Sequence, residues 1–345
     1  MNSPEQSQKR TVRIVTASAI VLICLWYLFG LPARDPIVMI DHHVFGEACH
    51  RMHAGAGYYD AMDASLRATY GPSESLRAFR MPTVFLLWSL APSDRWLWVL
   101  LVFLAGLTGF VFMGLCETPV GPPLVVIYLL AIGRFQSPEG SMAQFLTVEL
   151  WAVPALAAGV LAWRRQRWVL AAGFCLLAVL IRETAAGVLL AGLVWAQVSK
   201  RPRWPWLVAG VLAGAAYLAH ALCVSPYLVA AGQGGESALL GTADFPMSIL
   251  RMAGFALPGG PVAGLVLWLL AVRWMWRSAD YSWFPGLYLA LPLVGVLVER
   301  PLWGILVVPF TLVWGIDSAV DLVHIYWGSK RLGFSAQDQR RPASV

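Results

Sequence analysis

Charge is scarce in this sequence. Asp, Glu, Lys and Arg together make 13% of 345 residues, against 59% hydrophobic ones, too little polar material to clothe a water-soluble core. Regular alternation of polar and apolar residues is missing too, which excludes a transmembrane β-barrel. There is no Walker loop, no HExxH, no GxSxG and no GxGxxG in a strand-to-helix setting, so soluble-nucleotide chemistry has no support. No repeat at a fixed period occurs, and inverted halves of the transporter kind are not evident. Of the five cysteines, Cys24, Cys116, Cys175 and Cys223 fall within or at the ends of apolar segments, so Cys49 alone is expected to be exposed. A disulfide framework or zinc knuckle is therefore not expected.

The chain does have long apolar runs, which suit a hydrocarbon layer about 30 Å thick crossed at about 1.5 Å per residue. The net charge of +6 does not point to nucleic acid, because the cations cluster in short loops between these runs, as the positive-inside rule expects of a membrane protein. Lys9, Arg10 and Arg13 place the N-terminus in the cytoplasm and make 14–31 an uncleaved first span. Nine further spans follow near 96–115, 120–133, 145–163, 169–181, 184–198, 206–224, 261–273, 283–298 and 301–316. The apolar part of 81–91 is too short to cross and reads as a half-inserted helix; letting it span would turn every later basic loop outward. The expected fold is an all-α polytopic bundle of about ten spans plus that half-inserted helix. One catalytic domain would cover 1–327, with external loops at 31–95 and 225–260, and a disordered cytoplasmic tail would cover 328–345.

This topology gathers ionisable residues on one face. Asp41, Glu47, Arg80, Arg134, Glu139, Glu149, Arg182, Glu183, Glu299 and Arg300 all fall at or near external helix ends. Two readings stand for Arg182 with Glu183 and for Glu299 with Arg300: interfacial charges that snorkel and pair, or groups that hold a substrate. The tight turn at Ile181-Arg182-Glu183-Thr184 keeps Arg182 close to the bundle, where a guanidinium fork can grip two phosphate oxygens. Asp41 either caps the helix that follows it or takes a proton from an acceptor hydroxyl as general base. His43, Glu47 and His50 share one helical face, either as polar surface or as ligands of a divalent ion, so a divalent cofactor stays open and none is certain. Tyr58, Tyr59 and Tyr70 are interfacial anchors or platforms for a sugar.

The order of these parts resembles the GT-C superfamily of integral membrane glycosyltransferases, and within it the bacterial polyprenyl-phosphate mannosyltransferase-like and cell-surface glycopolymer-formation proteins. The likeness rests on the early acid Asp41, the Gly55–Tyr59 turn, Arg80 to Pro82, Glu149 near the start of a later helix, and the Arg182-Glu183 turn. His42 and His43 stand after the acid where the family usually has aliphatic or aromatic residues; no D-x-D follows, and no large soluble domain follows the bundle. The resemblance implies transfer of a sugar, with inversion, from a polyprenyl-phosphate donor to an envelope glycan or lipid acceptor at the outer face of a bacterial cytoplasmic membrane. Both termini would be cytoplasmic and membrane lipids would be the other partner. Asp41 would be the base, Arg182 would contact the donor phosphate with Arg300 assisting, and Glu47, Tyr58, Tyr59, Arg80, Glu149, Glu183 and Glu299 would line the substrate site. A lipid transporter or flippase, or a non-catalytic subunit of a glycan assembly complex, is the alternative.

Overall fold

The hydrophobic runs fold as helices that end where small, basic or proline residues interrupt them. The computed structural model describes residues 4–29, 40–71, 76, 79–116, 118–133, 148–228, 266, 269–274, 310 and 312–325, and no strand occurs among them. Ten helices are bounded in chain order: α1 (Pro4–Phe29), α2 (Ile40–His53), α3 (Tyr58–Tyr70), α4 (Pro82–Ser89), α5 (Asp94–Phe112), α6 (Gly121–Gly133), α7 (Val148–Arg164), α8 (Trp168–Ile181), α9 (Ala186–Val198) and α10 (Trp204–Val224). Residues 269–274 and 312–325 are helical as well.

Three of these helices are long and apolar enough to cross a membrane, over Gln6–Leu28, Arg95–Phe112 and Trp204–Tyr227. α6, α8 and α9 are equally apolar but only 13 or 14 residues long, and α7 has 17 residues. The expected span at 283–298 lies outside the described residues. The expected span at 301–316 is described from 310 onward, and its helix continues to 325. Its extra turns are held by charge: Thr118 donates to Asp317 through both its backbone N–H and its hydroxyl, and Arg273 donates to Asp321 through both terminal nitrogens.

α2, α3 and α4 form a small layer over the bundle. Gly55, at φ +97°, lets the chain reverse between α2 and α3 in a conformation that most side chains resist. α3 buries Tyr58, Ala61, Met62, Ser65 and Leu66, a stripe at helical spacing. α4 starts on Pro82, whose missing N–H costs nothing at a helix start. Phe85 and Trp88 of α4 are fully buried while Leu86, Leu87 and Leu90 face outward, so α4 carries apolar side chains on both of its faces. Phe85 meets Phe45, Tyr58 and Trp88 at ring-centroid distances of 5.4, 5.2 and 4.9 Å, and Trp88 reaches Trp151 of α7 at 5.9 Å. This aromatic chain ties the layer to the bundle. It also buries Cys49, which the sequence alone placed in an exposed setting.

α9 and α10 cross closely at Gly192, where an added methyl would run into the buried Trp206 ring. Gly192→Ala is expected to cost about 1–3 kcal/mol by overpacking. Gly210→Ala, where an added methyl meets nothing within 4 Å, is expected to be neutral or stabilising by up to about 1 kcal/mol through helix propensity. Thermal unfolding of the two variants in detergent checks the contrast.

Candidate functional site

Acidic and basic side chains that are far apart in sequence meet where α8 turns into α9. α8 ends at Ile181; Arg182 is extended (φ −141°, ψ 107°), and a single 3-10 turn, Glu183–Ala185, leads into α9. The Arg182 N–H still donates to Ala178 and its carbonyl accepts from Ala185, so the reversal is tight and the guanidinium stays inside. There Nη2 of Arg182 contacts Oε1 of Glu149 at 2.8 Å, and Nη1 donates to Oε1 of Glu183 at 2.9 Å. The Arg182 and Glu149 side chains are 4% and 5% exposed. Arg80 continues the chain at 3.5 Å from Glu183, giving the order Glu149, Arg182, Glu183, Arg80, with two carboxylates against two guanidinium groups.

The layer of short helices closes over this chain. The Tyr58 hydroxyl donates to the Arg80 carbonyl, and the Arg80 guanidinium lies 5.9 Å from the Phe45 ring centroid. Burial is the main cause that pushes the Tyr58 phenol well above its ordinary range; Tyr59 is pushed up to about 12, again chiefly by burial, with Cys223 adding to it. Both phenols therefore stay protonated at neutral pH and act as neutral donors. The Tyr59 hydroxyl is 3.2 Å from Nδ1 of His220, whose Nε2 is 3.2 Å from the Phe79 carbonyl. Tyr227 stacks near Tyr59 at 6.4 Å and donates to Asp60 at 2.7 Å.

Beside the ion pairs, a groove of about 680 Å³ runs between α9 and α10. Glu183 and Tyr217 stand among walls of Leu189, Leu193, Leu207 and Val211. Within the cluster, Nε of Arg182 and Oε2 of Glu183 are buried without a hydrogen-bond partner among the described residues. Unpaired polar atoms of this kind are costly in a static fold, and in this cluster they belong to charged groups, which leaves the ion-pair chain with hydrogen-bonding capacity to spare.

Of the residues singled out from the sequence, Glu149, Arg182, Glu183, Arg80 and Tyr58 thus come together, and Tyr59 joins them through His220. Glu47 does not; it pairs with Arg51 at 3.0 Å one helical turn away, both about 40% exposed. Asp41 falls in the first turn of α2, one residue inside its start, and so is not the cap residue itself. It precedes Phe45 by four residues, about 6 Å of helix rise. Tyr70 is exposed. Arg134, Glu139, Glu299 and Arg300 lie outside the described residues. Among the described residues no group of three or more His, Cys, Asp and Glu is placed to hold a metal ion; the side chains of Asp41, His42 and His43 are not among those described. His220 was not singled out from the sequence, although a lone histidine inside the apolar run of α10 was a visible signal. Compared with family models, curated proteins and solved structures, the chain matches none.

Proposed function

We propose that this chain is a membrane-embedded glycosyltransferase of GT-C type, with about ten spans. In this reading a bacterial cytoplasmic membrane holds the chain with both termini inside, and sugar transfer occurs at the outer face. The donor is a sugar on polyprenyl phosphate and the acceptor is an envelope glycan or lipid. The observation that carries the reading is the buried chain Glu149, Arg182, Glu183, Arg80 beside an apolar groove. Ionisable groups held this deep among apolar helices are expensive and mark a pathway or a site. These sit at helix ends under a lid of short helices, which favours chemistry at one face over passage through the bundle.

In the proposed reaction Asp41 takes the proton of an acceptor hydroxyl, and that oxygen attacks the anomeric carbon of the donor. The bond from that carbon to the phosphate oxygen breaks, and polyprenyl phosphate leaves with the electron pair. Arg182 offsets the charge growing on the leaving phosphate, an electrostatic contribution of the kind that often dominates catalysis, with Arg300 assisting. Because Glu149 and Glu183 hold Arg182 in the resting site, Nη1 must exchange Glu183 for the phosphate while Nη2 keeps Glu149. The prenyl chain lies in the groove between α9 and α10, and Tyr58, Tyr59 and Glu299 complete the substrate site.

The test is a transfer assay with the purified full chain in lipid nanodiscs, offered a panel of polyprenyl-phosphate hexoses with cell-envelope extract as acceptor. Release of polyprenyl phosphate that depends on protein and acceptor is the expected result. A wild-type protein that releases none but moves polyprenyl phosphate between leaflets of a vesicle would replace this reading with a flippase.

A further inference from the structure

The opposite end of α7 to α10 carries two twin turns that the proposed transfer reaction does not use. α7 passes to α8 through Arg164, Arg165, Gln166 and Arg167, and α9 passes to α10 through Ser199, Lys200, Arg201, Pro202 and Arg203. Each turn has one left-handed residue, Gln166 at φ +58° and Lys200 at φ +53°. Each closes with the same bond, Arg167 N–H to the Ala162 carbonyl at 2.9 Å and Arg201 N–H to the Ala196 carbonyl at 2.8 Å. Both are Schellman closures, which fix the backbone that follows the helix.

The two turns are neighbours in space. Trp195 meets Trp163 edge-on and Trp168 at a tilt, with ring centroids 5.4 and 4.7 Å apart, and the Arg201 guanidinium lies 5.9 Å from the Trp168 ring. Six cations therefore share one face, and between Arg164 and Arg203 the only acid is Glu183, at the far end of α8. Besides Arg201 on the Trp168 ring, two of the six are engaged among the described residues: Arg164 donates to the carbonyls of Gly114 and Leu115, and Arg203 to Gln197. Arg165, Arg167 and Lys200 are exposed and pair with no carboxylate among the described residues.

Apolar surface begins within one turn of these cations. Val169, Leu170, Val198, Trp204 and Leu207 are 48–57% exposed. A soluble polyanion would meet the charges but leave that apolar collar wet. A phospholipid leaflet satisfies both, with anionic head groups on the cations, indole rings at head-group level and acyl chains against the collar.

We propose that the paired turns form a docking face for anionic phospholipid, holding such lipids in preference to zwitterionic ones. The proposal rests on the membrane reading alone, so failure of the sugar-transfer assay leaves it standing. Each cation near an anionic surface contributes about fivefold to the partition, and the effect fades within a Debye length as salt rises.

The test reconstitutes the full chain in phosphatidylcholine bilayers with a fixed fraction of brominated phosphatidylglycerol or brominated phosphatidylcholine and reads quenching of tryptophan fluorescence. Brominated phosphatidylglycerol is expected to win by at least about fivefold, with the advantage shrinking between about 0.05 and 0.5 M salt. The variant Arg165→Gln/Arg167→Gln/Lys200→Gln keeps the turn geometry, since Gln166 already occupies the left-handed position in the twin turn, and is expected to lose the preference. Equal quenching by the two lipids in the wild type, or a preference that survives in the variant, overturns the proposal. So does a wild type that is indifferent to lipid charge but binds heparin through Lys200, which would assign the face to a soluble polyanion. If the variant fails to insert, the wild-type lipid and salt series still decides.

Discussion

Arg182→Gln is expected to lower the unfolding free energy by about 3–5 kcal/mol, the usual cost of leaving one charge of a buried pair without its partner, and to abolish sugar transfer. Glu149 and Arg182 are each about 95% buried by side-chain area, so water cannot take the place of the missing guanidinium. The double variant Glu149→Leu/Arg182→Met separates structure from function. Replacing both charges with apolar groups of similar size is often neutral or stabilising, so the double variant is expected to unfold near the wild-type temperature while remaining inactive. Thermal unfolding in detergent and the nanodisc transfer assay read the two properties independently. An Arg182→Gln variant as stable as wild type would mean that the pair is not closed in the folded protein; an active double variant would remove Arg182 from the chemistry.

The same pair shows where the sequence stops being legible. Helix positions follow from apolar runs and their basic ends, which is why α5 to α10 fall close to the runs that announced them. That 82–89 would form a short helix was legible because Pro82 starts it and only about ten apolar residues follow, too few for a full crossing. That Arg182 points inward was also readable, because the turn between α8 and α9 is short. That its partner is Glu149 was not, since joining residues 33 positions apart depends on how α7 is rotated against α8, and both helices are apolar all round. The Tyr59 to His220 contact was hidden for the same reason. The partner of Glu47 was, by contrast, within reach of the sequence, since Arg51 stands four residues on in the favourable order for a helix, and the structure pairs the two. Cys49 was misjudged because α2 looks polar by composition, and only the packing of Phe45 against Phe85 shows which face is buried.

Asp41→Asn is expected to reduce turnover by about 10²- to 10⁴-fold, the usual contribution of a general base, with little change in stability. Two structural roles compete with catalysis at this position, and the substitution treats them differently. As a cap, Asn serves a helix as well as Asp, and α2 begins at Ile40, so Asp41 is not the cap residue. As a negative charge in the first turn, Asp41 favours the helix by about 0.3–1 kcal/mol through the dipole, which bounds what Asn can cost the fold. A variant that unfolds within that bound and has lost transfer therefore lacks a proton acceptor, not a helix. Asp41→Glu supplies the complementary measurement, since it keeps charge and basicity but moves the carboxylate by about one methylene; activity between the wild-type and Asn levels is expected, because a misplacement of about 1 Å costs roughly 10²-fold. Full turnover in Asp41→Asn would transfer the role of base to another carboxylate. Glu183 would then be first in line, since it lines the groove and its Oε2 lacks a hydrogen-bond partner among the described residues.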